Sequence, residues 1–148
     1  MPAPDPLRQI KSEAITEVKK IHAELAQRPL ERQCALRTGC CQFQRTGKIP
    51  HLTRGEALLA AKALRATGRK TLPVRDDGAC PLLDPSTARC LIYESRPFGC
   101  RTHFCQAAGG IYPRAHVLDL IHRLEHIDRQ LGGNGPTPLE KALQTALD

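Results

Sequence analysis

The sequence predicts a small α+β domain that is mainly helical, with helices packed around a cysteine-rich hairpin and loop. Four segments carry apolar residues at helical spacing, and the stretch between the second and third is broken by proline, aspartate and glycine. All seven cysteines lie between the first and third helical segments. The 148 residues suit a single domain, 1–148, with a cysteine core at 30–105 flanked by helices at 1–28 and 113–148.

The first helix is expected from Leu7 to about Gln27, because six apolar residues recur there at spacings of three and four and form one stripe. Pro29 limits its extension. The stripe is similar to a coiled-coil seam but is too short for an independent one, so docking on the protein's own core is favoured over dimerisation. The six residues are Leu7, Ile10, Ala14, Val18, Ile21 and Leu25.

Capping-box spacing marks the start of two other helices. In this motif a hydroxyl residue and a glutamate three positions later satisfy backbone N–H groups of the first helical turn. Thr53 and Glu56 have this spacing and predict a helix over Arg54–Thr67. Thr137 and Glu140 repeat it for a last short helix near the C-terminus.

Two short apolar runs in the middle of the chain, Cys80–Leu83 and Cys90–Tyr93, are separated by turn-forming residues at Asp84–Thr87. This arrangement predicts a β-hairpin. Pro97 and the residues around it read as a loop after the second strand.

The third helix is expected over Pro113–Gln130, with proline at its first turn and Gly132-Gly133 after its end. His122 and His126 have the i, i+4 spacing of zinc ligands, but they lie roughly opposite the apolar stripe and are expected to be solvated. The stripe consists of Val117, Leu120, Ile121, Leu124, Ile127 and Leu131.

The composition indicates in which cellular compartment the protein resides and how its core is held together. The N-terminus has no basic start followed by an apolar stretch, and the apolar runs are too short to cross a bilayer, so we expect a soluble, cytoplasmic protein. Aromatic residues are only 3% of the chain, so an added cross-link would help to hold the core. In a reducing compartment, clustered thiols are more often metal ligands or redox groups than structural disulfides.

The cysteines fall into two groups, one after the first helix and one on the predicted hairpin and loop. Thiolate is a soft ligand that suits zinc, copper(I) and iron–sulfur clusters. The chain has no CxxC pair, no zinc-finger spacing and no ferredoxin run, so spacing indicates a metal-stabilised core without choosing the metal. The expected ligands are Cys34, Cys40, Cys41, Cys80, Cys90, Cys100 and Cys105.

Both cysteine groups resemble the CxxCxxCC, or YkgJ-like, cysteine-cluster family, whose members are described as zinc or iron chelators. The segment Cys34–Cys41 is similar to the CxxCxxCC opening of that family. The second group is closer: Cys80–Asp84, Cys90–Pro97, Cys100-Arg101 and Cys105 match the pattern C-x-x-L, C-x-I-Y-x-x-R-P-x-x-C-R. The resemblance covers about half of the chain and implies chelation of zinc or iron by cysteine thiolates.

One position departs from that family pattern. Arg37 stands where the family has its second cysteine, so seven thiols remain of a typical eight, and the role of Cys34 is open. His51 or His103 can supply the missing ligand, and His103 is better placed because it lies between two cysteines. One metal site and two metal sites both remain compatible with the sequence.

The residues around Cys100 have roles that follow from their chemistry. Arg96 and Arg101 flank it and are expected to favour the thiolate electrostatically. Tyr93 and Phe98 either wall the site off from water or pack as ordinary core residues, the latter being favoured for Tyr93.

The expected function is therefore metal binding, with a structural or accessory role if the metal is zinc, because four thiolates leave no open position for water. With a cluster such as [4Fe–4S], electron transfer or redox sensing is the alternative. The expected partners are the metal ion and, in an accessory role, another protein; a membrane is not expected.

Catalysis and nucleic-acid binding have weaker support. No phosphate loop, dinucleotide fingerprint or nucleophile elbow is present, and the spacing of His103 and Cys105 does not by itself make a catalytic dyad, so an enzyme is not predicted. The net charge of +7 is compatible with a nucleic-acid partner. The basic residues are not interleaved with aromatic ones, however, and a solvated surface is favoured. The basic stretch consists of Arg65, Arg69, Lys70 and Arg75.

Overall fold

The structure is a computed structural model that describes residues 5–28, 49–73, 75, 77–84, 86–87, 89–102 and 113–148. Within these ranges the chain forms five α-helices and one two-stranded antiparallel sheet, which confirms the mainly helical α+β class. In chain order the elements are α1 (Pro6–Gln27), β1 (His51–Leu52), α2 (Arg54–Ala66), α3 (Phe98–Thr102), α4 (Leu118–Gln130), β2 (Thr137–Pro138) and α5 (Leu139–Leu147). Short 3-10 turns lie at Tyr93–Ser95 and Arg114–His116.

Helix α1 confirms the first predicted helix. Its N-terminus is capped by Asp5, whose carboxylate accepts a hydrogen bond from Leu7 N at 3.1 Å. The apolar stripe is buried only from Ala14 onward, because Leu7 and Ile10 are exposed. The stripe residues that pack into the core are Ala14, Val18, Ile21 and Leu25.

Helix α2 lies at the centre of the described fold. It packs against α5 on one side and against α1 and α4 on the other. Its predicted capping box is confirmed: Glu56 Oε1 accepts hydrogen bonds from Thr53 N at 3.1 Å and from Thr53 Oγ1 at 2.8 Å. Gly68, with φ of +90°, follows its end in the left-handed conformation that glycine adopts at low cost.

Two apolar clusters divide the core, and α2 contributes to both. The three-helix cluster, named for the long helices α1, α2 and α4, also includes Phe98 of α3. It consists of Ala14, Val18, Ile21, Leu25, Leu59, Phe98, Val117, Leu120, Leu124 and Ile127. The hairpin cluster joins α2 and α5 to the middle of the chain, and it consists of Leu52, Ala57, Ala60, Leu64, Ala79, Cys80, Leu82, Leu83, Ile92, Leu139, Ala142 and Leu143. None of the helices in the described ranges is long and apolar enough to span a membrane.

The small sheet joins two distant parts of the chain and differs from the prediction. His51 pairs with Pro138 and Leu52 with Thr137. Leu139 N also donates to Pro50 O at 3.0 Å. The last helix is present, but Thr137 belongs to β2 rather than capping it, and the helix begins at Leu139. A two-residue strand has too few positions to show an alternating pattern in the sequence.

The predicted hairpin is present only as a chain reversal. Asp84 N donates to Arg89 O and Leu91 N to Leu82 O, both at 2.8 Å, and a single bridge joins Leu83 to Cys90. The reversal at Asp84–Thr87 is therefore confirmed, but the two strands are wrong in the described residues. Cys80–Leu83 is a turn, closed by Leu83 N donating to Cys80 O at 3.0 Å. Short buried apolar runs do not distinguish a strand from a buried turn.

The third predicted helix begins later than expected. Residues Arg114–His116 form a 3-10 turn, and Val117 interrupts it with φ of −131°, so α4 starts at Leu118. Val117, Leu120, Leu124 and Ile127 are buried as predicted, with Ile121 and Leu131 half-buried. The expected exposure of His122 and His126 is confirmed.

Candidate metal centre

Cys80 and Cys90 are positioned by the chain reversal in the middle of the protein. Cys80 is a free thiol, 5% exposed, within the hairpin cluster. Cys90 is half-buried against the same cluster and forms the bridge with Leu83. Two predicted ligands are thus held against one apolar cluster, on segments that have few regular backbone hydrogen bonds.

Cys100 lies on a short helix, where the sequence predicted a loop. Helix α3 starts directly after Pro97, and Cys100 N donates to Pro97 O at 3.0 Å. Phe98, at the start of α3, is 6% exposed and packs in the three-helix cluster. Phe98 is therefore a core residue that anchors the helix carrying Cys100.

Glu56 joins α2 to α3 through a single carboxylate. Its Oε1 closes the capping box with Thr53, and its Oε2 accepts a hydrogen bond from Phe98 N at 2.7 Å. The side chain is buried, and burial raises the pKa of this carboxyl. The capping-box pattern accounts for the first of these bonds. The contact with Phe98 spans 42 residues and has no signal in the local sequence.

Two arginines stabilise the segment that leads to Cys100. The guanidinium of Arg96 lies 3.9 Å from the centre of the Tyr93 ring, and its Nε donates to Tyr93 O at 3.0 Å. Arg101 Nε donates to Arg96 O at 2.8 Å, and its Nη2 donates to Glu94 O. The family motif is therefore a folded turn in which Tyr93 supports Arg96 and Arg101 binds the backbone.

Arg101 places a positive charge beside Cys100. Burial lowers the pKa of Arg101, and the charge of Arg96 lowers it further, whereas Glu94 and Cys100 act in the opposite direction. Arg101 therefore interacts electrostatically with the neighbouring thiol. Such a charge favours the thiolate, which is the form that binds metal.

His22, which no sequence pattern marks as functional, is buried near these arginines. It is 7% exposed on α1, four residues after Val18 and three before Leu25, so it shares the buried face of the helix. Burial lowers the pKa of His22 to about 3, and the charges of Arg101 and Arg96 contribute. Its position within the apolar stripe is the signal that points to burial.

The Nε2 atom of His22 has no hydrogen-bond partner among the residues that the structure describes. A buried polar atom without a partner costs about 1–3 kcal/mol, so native proteins rarely leave one unsatisfied. A neutral imidazole nitrogen is also a common ligand of zinc and iron.

The described ranges contain only part of the predicted ligand set. Cys34, Cys40, Cys41, Cys105 and the alternative ligand His103 lie outside them. Within the ranges, no three histidine, cysteine or carboxylate side chains are grouped closely enough to hold a metal ion. The chemistry of the donors fits zinc or iron, because sulfur and imidazole nitrogen suit both metals and the arginines favour an anionic thiolate centre.

Two other sets of residues from the sequence analysis are located by the structure. His51 is exposed on β1, with its Nδ1 atom 3.1 Å from Ile49 O. Arg65 donates to the last carbonyl groups of α5, and Arg75 binds Asp77 and Leu83 O. Arg69 also donates to Thr67 Oγ1 at 3.1 Å, so three of the four residues of the basic stretch bind to the protein's own fold.

The three described cysteines thus lie on short segments beside packed helices, and two arginines are bonded into the segment that leads to Cys100. The family model CxxCxxCC, described as a putative zinc- or iron-chelating domain, matches residues 32–117, which is more than half of the chain and includes all seven cysteines. The chain belongs to this family, and the resemblance seen in its sequence is confirmed. No curated protein and no solved structure matches the chain significantly.

Proposed function

We propose that this protein binds zinc or iron through thiolates from both cysteine groups and that the metal has a structural or accessory role. The observation that carries the proposal is the family match, which spans every cysteine of the chain. The segments that hold Cys80 and Cys90 have one isolated bridge in place of a strand ladder. Coordination bonds stabilise such segments where backbone hydrogen bonds are few, and metal binding then contributes to folding.

The proposed ligands are held in two ways. Cys80 and Cys90 belong to the chain reversal at the hairpin cluster, and Cys100 is on α3, held by Glu56 and Phe98. A buried free thiol at Cys80 is in keeping with a reducing compartment, and we place the protein in the cytoplasm. The full proposed set is Cys34, Cys40, Cys41, Cys80, Cys90, Cys100 and Cys105.

The same thiolates suit an iron–sulfur cluster such as [4Fe–4S]. Four thiolates around a zinc ion or such a cluster form an anionic centre, and Arg96 and Arg101 supply the neighbouring positive charge. With a cluster, the role would change from structural support to electron transfer or redox sensing.

Anaerobic purification of the full chain, followed by analysis of zinc, iron and acid-labile sulfide, tests the proposal and separates the two metals. Zinc in a whole-number ratio to a colourless chain supports the structural role. A brown protein with about four iron atoms and about four sulfide ions per chain supports the cluster. A folded protein with neither metal contradicts the proposal.

Replacing Cys90 or Cys100 with serine is expected to abolish metal retention and to lower solubility. Serine does not supply the soft thiolate, and lost coordination removes part of the folding free energy. Metal content per chain and the soluble fraction measure the effect. Thr102→Ser on α3 is the matched control, because it keeps the hydroxyl that donates to Phe98 O. Full metal content in both folded cysteine variants would show that the ligand assignment is wrong.

A further inference from the structure

A groove with a volume of about 360 Å³ lies where α1, α2, α5 and the segment before β2 meet. Part of its lining is apolar: Leu52 and Ala57 are buried members of the hairpin cluster, and Leu58 and Leu131 are half-buried. None of the described cysteines lines it. The groove is therefore distinct from the candidate metal centre, and its size suits a small ligand or a few side chains of a peptide.

Contacts within the chain fix the walls of this groove. Asp128 is 1% exposed, and its carboxylate accepts hydrogen bonds from Arg54 N at 2.7 Å and from Gly135 N at 2.9 Å. These bonds join the start of α2 to the segment before β2. Thr137 of β2 pairs in turn with Leu52 of β1. Because the walls are held by the fold itself, a ligand does not have to order them when it binds.

The charged side chains that line the groove are all basic among the described residues: Lys11 of α1, Arg54 of α2 and Lys141 of α5. Lys11 and Lys141 are exposed and form no ion pair within the described ranges. Arg54 is held at the groove because its Nη1 donates to Leu131 O at 2.9 Å. Three positive charges around one groove attract an anionic ligand.

Exposed apolar side chains continue from the groove along α1. Leu7 precedes Lys11 by four residues, so it lies on the same face of the helix, and it is 56% exposed. Ile10 is 43% exposed, and residues 6–13 of α1 are all exposed. The first two turns of α1 are thus accessible to a partner. A ligand that reaches both this part of α1 and the groove is extended and partly apolar.

We propose that the groove binds an acidic segment of a partner protein, whose carboxylates pair with Lys11, Arg54 and Lys141. Apolar side chains of that segment contact the apolar lining. A peptide fits better than a nucleic acid, because no aromatic side chain among the described residues lines the groove and bases have nothing to stack on. Lys11 and Lys141 lie outside the family match, so this surface goes beyond the proposed metal-binding function.

Fluorescence anisotropy with the full chain and a labelled peptide of repeating glutamate, glutamate and leucine tests the proposal. The chain is expected to bind this peptide at least about tenfold more tightly than a matched peptide with glutamine in place of glutamate. Lys11→Glu combined with Lys141→Glu is expected to raise the dissociation constant of the glutamate peptide at least about tenfold, because two attractions become repulsions.

Matched variants separate the groove from the overall charge of the protein. Lys19→Glu combined with Lys70→Glu makes the same change in net charge at exposed positions that do not line the groove, and it is expected to raise the dissociation constant less than about threefold. Thr145→Tyr, at an exposed position of α5 in the groove, adds bulk without charge and is expected to block the peptide. Urea denaturation checks that each variant remains folded.

Three outcomes contradict the proposal. The first is a folded wild-type protein that does not bind the glutamate peptide. The second is an equal loss of affinity in the groove pair and the control pair, which would show that net charge alone attracts the peptide. The third is a labelled single-stranded RNA that binds more tightly than the peptide and is lost in Lys11→Glu with Lys141→Glu, which would make a nucleic acid the occupant.

Discussion

At the scale of single residues, the carboxylate of Glu56 links the start of α2 to the start of α3, the helix that carries Cys100. It accepts hydrogen bonds from Thr53 N, Thr53 Oγ1 and Phe98 N, and it is 4% exposed. Three donors around one buried carboxylate satisfy the start of α2 and the start of α3 together. The position of Cys100 on α3 therefore depends on a carboxylate from a distant part of the chain.

Replacing Glu56 with glutamine is expected to lower the free energy of unfolding by about 1–3 kcal/mol, because an amide supplies one acceptor oxygen in place of two and leaves a buried N–H group unsatisfied. Urea denaturation measures the change. Glu13→Gln, on the exposed part of α1, is the control and is expected to change stability by less than about 0.5 kcal/mol. Equal stability of the two variants would contradict the role of Glu56 in joining α2 to α3.

The pH dependence of stability provides a second measurement on Glu56. Because burial raises the pKa of this carboxyl above its ordinary value of 4.5, the folded protein holds a proton that the unfolded chain has released just above that pH. The free energy of unfolding is then expected to fall as pH rises through this range, and the decrease should be absent from Glu56→Gln. Identical pH profiles for the two proteins would contradict the assigned shift.

The sequence predicted contacts between residues that are close in the chain better than contacts between residues that are far apart in it. The capping box of Thr53 and Glu56 was predictable because both partners lie within one helical turn. The bond from Phe98 N to Glu56 and the burial of His22 beside Arg101 depend on how distant segments pack, which no local spacing encodes. Phe98 packs in the core, whereas the sequence also allowed it to shield the site from water. This outcome likewise depends on how distant segments pack.

At the scale of elements, α2 packs closely against both α1 and α4. Gly55 stands at this contact, where an added Cβ would lie 2.9 Å from Ile127 Cγ2 and 3.0 Å from Val18 Cγ2. Both neighbouring side chains are β-branched and stiff, so they cannot move away cheaply. The absence of a side chain at Gly55 therefore allows the three helices to approach.

Replacing Gly55 with alanine is expected to lower stability by about 1–3 kcal/mol through overpacking, although alanine has the higher helix propensity. The midpoint of thermal unfolding measures this effect. Gly99→Ala on α3 is the matched control, because among the described residues its Cβ would have only Pro50 nearby, at 3.9 Å, and it is expected to leave the midpoint unchanged or slightly raised. A Gly55→Ala protein as stable as the control would show that the helices can separate at little cost.

The helices were easier to predict than the strands for a physical reason. Periodicity over many residues identified α1, α2 and α4, and an error arose only where a 3-10 turn at Arg114–His116 precedes α4. The prediction of two hairpin strands was wrong because buried apolar runs of four residues fit a turn as well as a strand. The sheet of β1 and β2 pairs only two residues from each strand, too few for a pattern.

At the scale of the whole molecule, the helices of the described ranges form two apolar clusters around α2. Helix α2 links the three-helix cluster to the hairpin cluster, and Cys80 lies within the second of them. Helices α1 and α5 lie outside the family match, yet both pack against α2. The flanking parts of the chain therefore support the family core.

The central claim is that the folded chain carries a metal held by its cysteines, and native mass spectrometry of the full-length, anaerobically purified protein tests it most directly. The account predicts compact, folded ions whose mass exceeds that of the bare chain by bound zinc or by an iron–sulfur cluster, less the protons released by the thiols. The excess should disappear in the Cys90→Ser and Cys100→Ser proteins. Compact wild-type ions at the mass of the bare chain would contradict the account.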